Sequence, residues 1–124
     1  MKVELIQGLL HTSITMEFNG KRKSIDNVVI DTGAAYSIIS SDEVDDIGVY
    51  WSPDDEIIDS IGMGGVQNSF VKRIDKVEFA GEVFTSIPFD FGYFAPELKI
   101  NGLIGLDILL EGKFCIDLRN LMIV

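Results

Sequence analysis

The chain has 124 residues, 47% of them apolar, with twenty acids against ten bases and a net charge of −10. That describes one globular domain over residues 1–124, large enough to bury its own core and too apolar to be disordered. The acidic balance argues against nucleic acid and anionic membrane surfaces as partners, because both need clustered Lys and Arg.

Val3-Glu4-Leu5-Ile6 reads as a first strand. Glu4, Gln7 and His11 interrupt any apolar leader, and no run is long enough to span a bilayer, so the expected compartment is the cytoplasm. His11 is the sole histidine, and nothing near it reads as a nucleophile site. A partly exposed strand or turn position is expected for it. Ile14-Thr15-Met16-Glu17-Phe18 alternates with period two, and Asn19-Gly20 is a hairpin signal. Lys21-Arg22-Lys23 follows directly and reads as a solvated hairpin end. The returning strand leads through Ile25 to Val28-Val29-Ile30, then breaks at Asp31-Thr32-Gly33-Ala34.

Tyr36 to Ile39 resumes as strand. Ser40 to Asp46, with acids in its first turn, reads as a capped short helix. Asp54-Asp55-Glu56 reads as a solvated loop. Ile57 to Ile61 and Val66 to Val71 flank the tip Gly62-Met63-Gly64-Gly65, predicting a long, mobile hairpin. Asp75 to Phe79 and Glu82 to Phe89 are strands about an Ala80-Gly81 turn, and Phe91 to Lys99 reads as an irregular loop. Leu103-Ile104-Gly105 is a short strand ending in Gly, and Leu106 to Leu110 is a short helix stopped by Gly112. Phe114 to Leu118 and Leu121 to Val124 form a last hairpin, in which Cys115 is expected as a small buried side chain. A lone cysteine makes neither an intrachain disulfide nor a cysteine-based zinc site. No metal or cofactor motif stands out.

The chemistry concentrates in Asp31-Thr32-Gly33-Ala34. An apolar, β-branched run delivers one carboxylate to a tight turn, where Gly allows close backbone approach. Taken alone, the tripeptide is also what a plain polar turn looks like. Farther on, Asn101-Gly102-Leu103-Ile104-Gly105-Leu106-Asp107-Ile108-Leu109 places two apolar residues and a Gly before a short helix, with the Gly-rich tip lying between the two motifs. Taken alone, that tip is also an ordinary hairpin turn, and Gly105 a plain strand-to-helix turn.

In this order and spacing the motifs resemble the retropepsin-like, single-domain aspartic proteases. The members from cellular organisms are the better match. Retroviral members commonly carry acidic residues where this chain has Ala35 and Tyr36, and often an Arg where its short helix begins Leu106-Asp107. The resemblance implies a mostly β closed barrel with a flap hairpin and one or two short helices. It implies that Asp31 is the catalytic carboxylate, with Thr32, Gly33 and Ala34 supporting the loop. It further implies that Gly62, Met63, Gly64 and Gly65 form a flap over an extended peptide, and that Leu103, Ile104 and Gly105 pack behind the catalytic loop. Asp107 reads as structural, an acid placed early in the helix.

The family's chemistry needs two carboxylates, and the chain supplies one such motif. The implied enzyme is therefore a homodimeric endopeptidase acting on a peptide or protein substrate, without cofactor or metal. Leu121 to Val124 suits either an interleaved dimer sheet or an internal strand. The alternative function is a non-catalytic peptide-binding or dimerisation module that keeps the fold. A weaker alternative is a β-barrel binder of a small ligand with the Gly-rich hairpin as its lid.

Overall fold

The computed structural model describes residues 1–62 and 65–124. The first hairpin begins the barrel. β1 (Glu4–Ile6) pairs with β2 (Leu9–Phe18), which pairs with β3 (Lys21–Ile30) across the Asn19-Gly20 turn. Both turn residues have positive φ, 50° and 80°. This is the geometry that matches the twist of a two-residue hairpin, and Asn and Gly tolerate it best. Ile14 and Met16 alternate inward along β2 and are almost wholly buried.

The next strands are β4 (Ile38–Ser40), β5 (Ile57–Gly62), β6 (Gly65–Phe79) and β7 (Glu82–Gly92). After them come β8 (Gly102–Ile104), α1 (Leu106–Glu111), β9 (Ile116–Asp117) and β10 (Met122–Ile123). The main sheet runs β1-β2-β3-β8-β4-β7-β6-β5, and a further β2–β6 pairing closes it into a ring. Strand β6 makes closure possible because its 15 residues serve two structures. Its first part pairs with β5 as a hairpin, and Lys76 to Glu78 pair with Glu17 to Thr15 of β2. The closed ring leaves few free edges and surrounds one core of branched aliphatic and aromatic side chains, including Ile39, Ile74, Val77, Phe89, Phe91 and Ile108. The Phe79 and Phe114 rings meet edge to face at 5.4 Å, fastening the C-terminal hairpin to this core.

Several local expectations change. The stretch after Ser40 is two single 3-10 turns, Ser41–Glu43 and Asp45–Ile47, rather than a capped helix. Ser40 makes no side-chain cap bond, and Gly48 in the left-handed region ends the second turn. His11 is buried on β2, not partly exposed, and its Nδ1 has no hydrogen-bond partner among the described residues. Cys115 is exposed, one residue before β9, with its backbone bonded to Val124. Asp55 is not solvated. It accepts from Ser52 and pairs with Lys72 at 2.8 Å, its side chain only 12% exposed. The expected strand from Asp75 is continuous with the hairpin strand before it, and β7 runs on through Phe91 into the expected loop.

Within Leu121 to Val124, Met122–Ile123 forms β10, paired with β9 in the same chain. The N–H of Val3 donates to Leu121 O, Met1 and Ile123 bond each other's backbone, and Cys115 exchanges two bonds with Val124. Both edges of the segment are thus satisfied within the chain.

Candidate active site

Strand β3 carries Val28, Val29 and Ile30 into the core and stops at Asp31. It stops there because β8 lies parallel beside it, pairing Val28 with Gly102, Val29 with Leu103 and Ile30 with Ile104. The N–H of Asp31 then donates to Ile104 O at 2.9 Å. Beyond the loop, β4 returns on the other side of β8, antiparallel, with Ile38 opposite Leu103. The Asp31 loop is therefore a crossing from one flank of β8 to the other, and Leu103-Ile104 forms its backing.

The carboxylate stands where the chain leaves the sheet. Gly33 N–H donates to Asp31 Oδ1 at 2.9 Å, and Ala34 N–H to Asp31 O at 3.1 Å. A Cβ on Gly33 would stand 3.2 Å from that same carboxylate oxygen, a tight contact against the side chain it orients. Asp31 is half-buried, and Thr32 and Gly33 are exposed at the tip.

The back of the loop is clamped by the start of α1. Leu106 N–H donates to Ala34 O at 2.8 Å and Asp107 N–H to Ala35 O at 3.2 Å. A Cβ on Gly105 would lie 2.7 Å from Ala34 O and 2.9 Å from the Tyr36 carbonyl carbon, so only glycine lets the two backbones approach this closely. Sequence reading gave Asp107 a helix-dipole role, and the structure adds a larger one. Its Oδ1 accepts from Ser37 N at 3.0 Å, Ser37 Oγ at 2.6 Å and Ile108 N at 2.9 Å. Ser37, 1% exposed, in turn accepts from Gly105 N at 2.8 Å. A short strand ending in Gly with a polar residue two positions on was the available signal. Ser37 gave none, because its partner lies far away in sequence.

A cleft of about 750 Å³ opens beside this clamp, lined by Tyr36, Glu56, Ile58, Val71, Asp90 and Asp107 among others. Burial first, then the charges of Asp107 and Glu56, push the Asp90 carboxyl up to about 6. Asp90 carried no sequence signal. The hairpin of β5 and β6 is paired rung by rung from Ile57–Phe70 to Gly62–Gly65, and Met63 and Gly64 lie outside the described residues. The described residues hold no cluster of His, Cys, Asp and Glu fit to ligate a metal. Among them, no helix is long and apolar enough to cross a membrane.

A closed β barrel with an Asp-Thr-Gly crossing loop and a hydrophobic-Gly-helix backing defines the retropepsin-like class. The comparisons agree. The EIAV protease in complex with the inhibitor HBY-793 superposes with a TM-score of 0.62 at 15% identity, covering 89% of this chain and 93% of that one. A retropepsin-like aspartic protease from Rickettsia conorii gives 0.67 at 17% identity, covering 99% and 85%. No curated protein sequence matches. The profile of the aspartyl protease family matches residues 14–108, and the chain belongs to that family.

Proposed function

We propose that the chain is an aspartic endopeptidase whose active site is assembled from two copies, each contributing Asp31. The observation that carries this reading is the Asp31 carboxylate itself. It is oriented by Gly33, fixed to Ile104, and set at an exposed loop tip with a single such loop per chain. Family membership supports the same chemistry.

Two carboxylates about 3 Å apart repel by roughly 5 kcal/mol at an effective dielectric near 20, so the pair holds one proton between them at moderate pH. The ionised carboxylate takes a proton from a bound water, whose oxygen attacks the scissile carbonyl carbon. The protonated carboxyl donates to the carbonyl oxygen. Collapse of the tetrahedral intermediate breaks the C–N bond, and a proton passes to the leaving amine. No covalent intermediate with the enzyme forms.

Exposed Thr32 is free to bond across the two-fold axis and hold the two loops together. Substrate lies extended between the catalytic loops and the hairpin of β5 and β6, with Gly62 to Gly65 as its flap, so that backbone bonds supply grip and side-chain pockets supply selectivity. The C-terminal strand is already paired on both edges within its own chain. The dimer therefore forms without exchanging these strands.

Sedimentation run alongside a peptide-cleavage assay from acidic to neutral pH tests the reading. A concentration-dependent dimer, with cleavage rising as dimer forms, is expected. A stable monomer that cleaves nothing would overturn it in favour of a non-catalytic module.

A further inference from the structure

The cleft beside the catalytic loop is acidic on several sides. Asp90 lies on β7 opposite Ile38 of β4, one residue beyond Ser37. Asp107 and Glu111 of α1, Glu56 ahead of β5, and Tyr36 of the catalytic loop line the same cleft. On β6, Val71 is the residue paired with Asp90. The nearby Lys72 ammonium is taken by Asp55 at 2.8 Å and Ser52 Oγ at 3.3 Å. No Lys, Arg or His lines the cleft among the described residues.

We propose that Asp90 is a positioning residue: its charge sets how firmly Asp107 clasps Ser37, and so couples the geometry of the catalytic loop to pH. The proposal rests on the aspartic-protease reading for its effect on cleavage, though not for its effect on stability. The Asp107 carboxylate accepts three hydrogen bonds on one oxygen, two of them from Ser37. With Asp90 protonated, one like charge is removed from the surroundings of Asp107. Once Asp90 ionises, two carboxylates face each other in a half-buried cleft with Glu56 beside them. The structure relieves that repulsion by loosening the contacts around Asp107. Those contacts hold Ser37 and Gly105, and through the same segment Ala34 and Ala35.

The direction follows from linkage. The carboxyl of Asp90 binds its proton more tightly in the folded chain, up to about 6 against an ordinary 3.8. Its contribution to stability is complete below the ordinary value, declines as pH rises, and is gone above about 6.

The test compares wild type with Asp90→Asn and Glu56→Gln between pH 4 and 8. The gap in Tm between Asp90→Asn and wild type should widen by about 3 °C or more as pH rises through the transition. The ratio of kcat/KM at pH 7.5 to that at pH 4.5 should be higher in Asp90→Asn by about threefold or more. Glu56→Gln, which removes a charge raising the Asp90 carboxyl, should move the wild-type midpoint to lower pH. Parallel Tm curves for wild type and Asp90→Asn would overturn the proposal. Should Asp90→Asn fail to fold, an unmoved midpoint in Glu56→Gln overturns it instead. Wild type that cleaves nothing while the Tm gap still widens would defeat the protease reading and leave only the stability effect of Asp90 standing.

Discussion

The backbone N–H of Asp31 donates to the carbonyl of Ile104 at 2.9 Å, joining two segments that are remote in sequence into one rigid element. Strand β8 is flanked by β3 in parallel and by β4 in antiparallel sense, so the loop between those strands has to cross over its end. A carboxylate placed on that crossing is held by backbone bonds from both sides. Rigidity of this kind lets a water-activating group be presented without reorganisation during the reaction.

Asp31→Asn tests whether the carboxylate performs the chemistry. Asn retains an amide oxygen able to accept from Gly33 N–H, so the loop keeps its orientation. Cleavage is expected to fall by about a thousandfold or more with Tm nearly unchanged. Undiminished hydrolysis by the variant would remove Asp31 from the mechanism.

Gly105→Ala would push a methyl group to within 2.7 Å of Ala34 O, against backbone that cannot rotate away. Overpacking of this kind costs about 1–3 kcal/mol. Urea unfolding should register that loss, and peptide cleavage should drop in parallel because the displaced backbone belongs to the segment that carries Asp31.

Ser37→Ala removes the hydroxyl that donates to Asp107 and accepts from Gly105 N–H. It leaves the buried Gly105 N–H without its acceptor, at an expected cost of about 1–3 kcal/mol. Faster amide exchange at Gly105, measured by NMR, would localise the damage. Unchanged exchange there would show that the bond contributes nothing.

Lys72 and Asp55 form an ion pair with side chains 18% and 12% exposed. Burial works to raise the Asp55 carboxyl, but hydrogen bonds from Lys72 and Ser52 outweigh it and hold the group below its ordinary 3.8. This stability is present above that value and lost as pH falls below it. Lys72→Met should cost about 1–2 kcal/mol at neutral pH, between the values for exposed and fully buried pairs. The acid limb of its Tm profile should also be shallower than in wild type, because the Asp55 carboxyl is no longer held as far below its ordinary value by Lys72. The opposite direction at Asp90 places the wild-type contribution of these two groups at its best near pH 4.

Cys115 offers a simple check on the C-terminal hairpin. Its exposed side chain should react with a thiol reagent at one equivalent per native chain, at close to the rate of the unfolded protein. Slow labelling that accelerates only on denaturation would contradict the placement.

Much of this was legible locally. Asn19-Gly20 announced a hairpin because few other pairs accept positive φ at both positions, and Gly112 stopped a short helix where expected. Alternation along Ile14 and Met16 gave the buried face of β2. Readings that depended on a distant partner failed. Asp55 looked like part of a solvated acidic run until Lys72 came to lie beside it. His11 looked partly exposed, yet it is buried on β2 between β1 and β3. Cys115 looked buried because its neighbours are apolar, although it lies just before β9 and its side chain is exposed.

By itself the sequence determined the Asp31 loop, its glycine, the backing motif and the β-rich class. Each of these is a matter of short-range backbone sterics and period-two hydrophobicity, which act between neighbours in the chain. Only the tertiary structure decided that β2 and β6 close the ring, that Ser37 and Asp107 clamp the loop, and that Asp90 and Asp107 line one acidic cleft. Those relations join residues far apart in the chain, and burial and charge act through the space between folded segments rather than along the sequence.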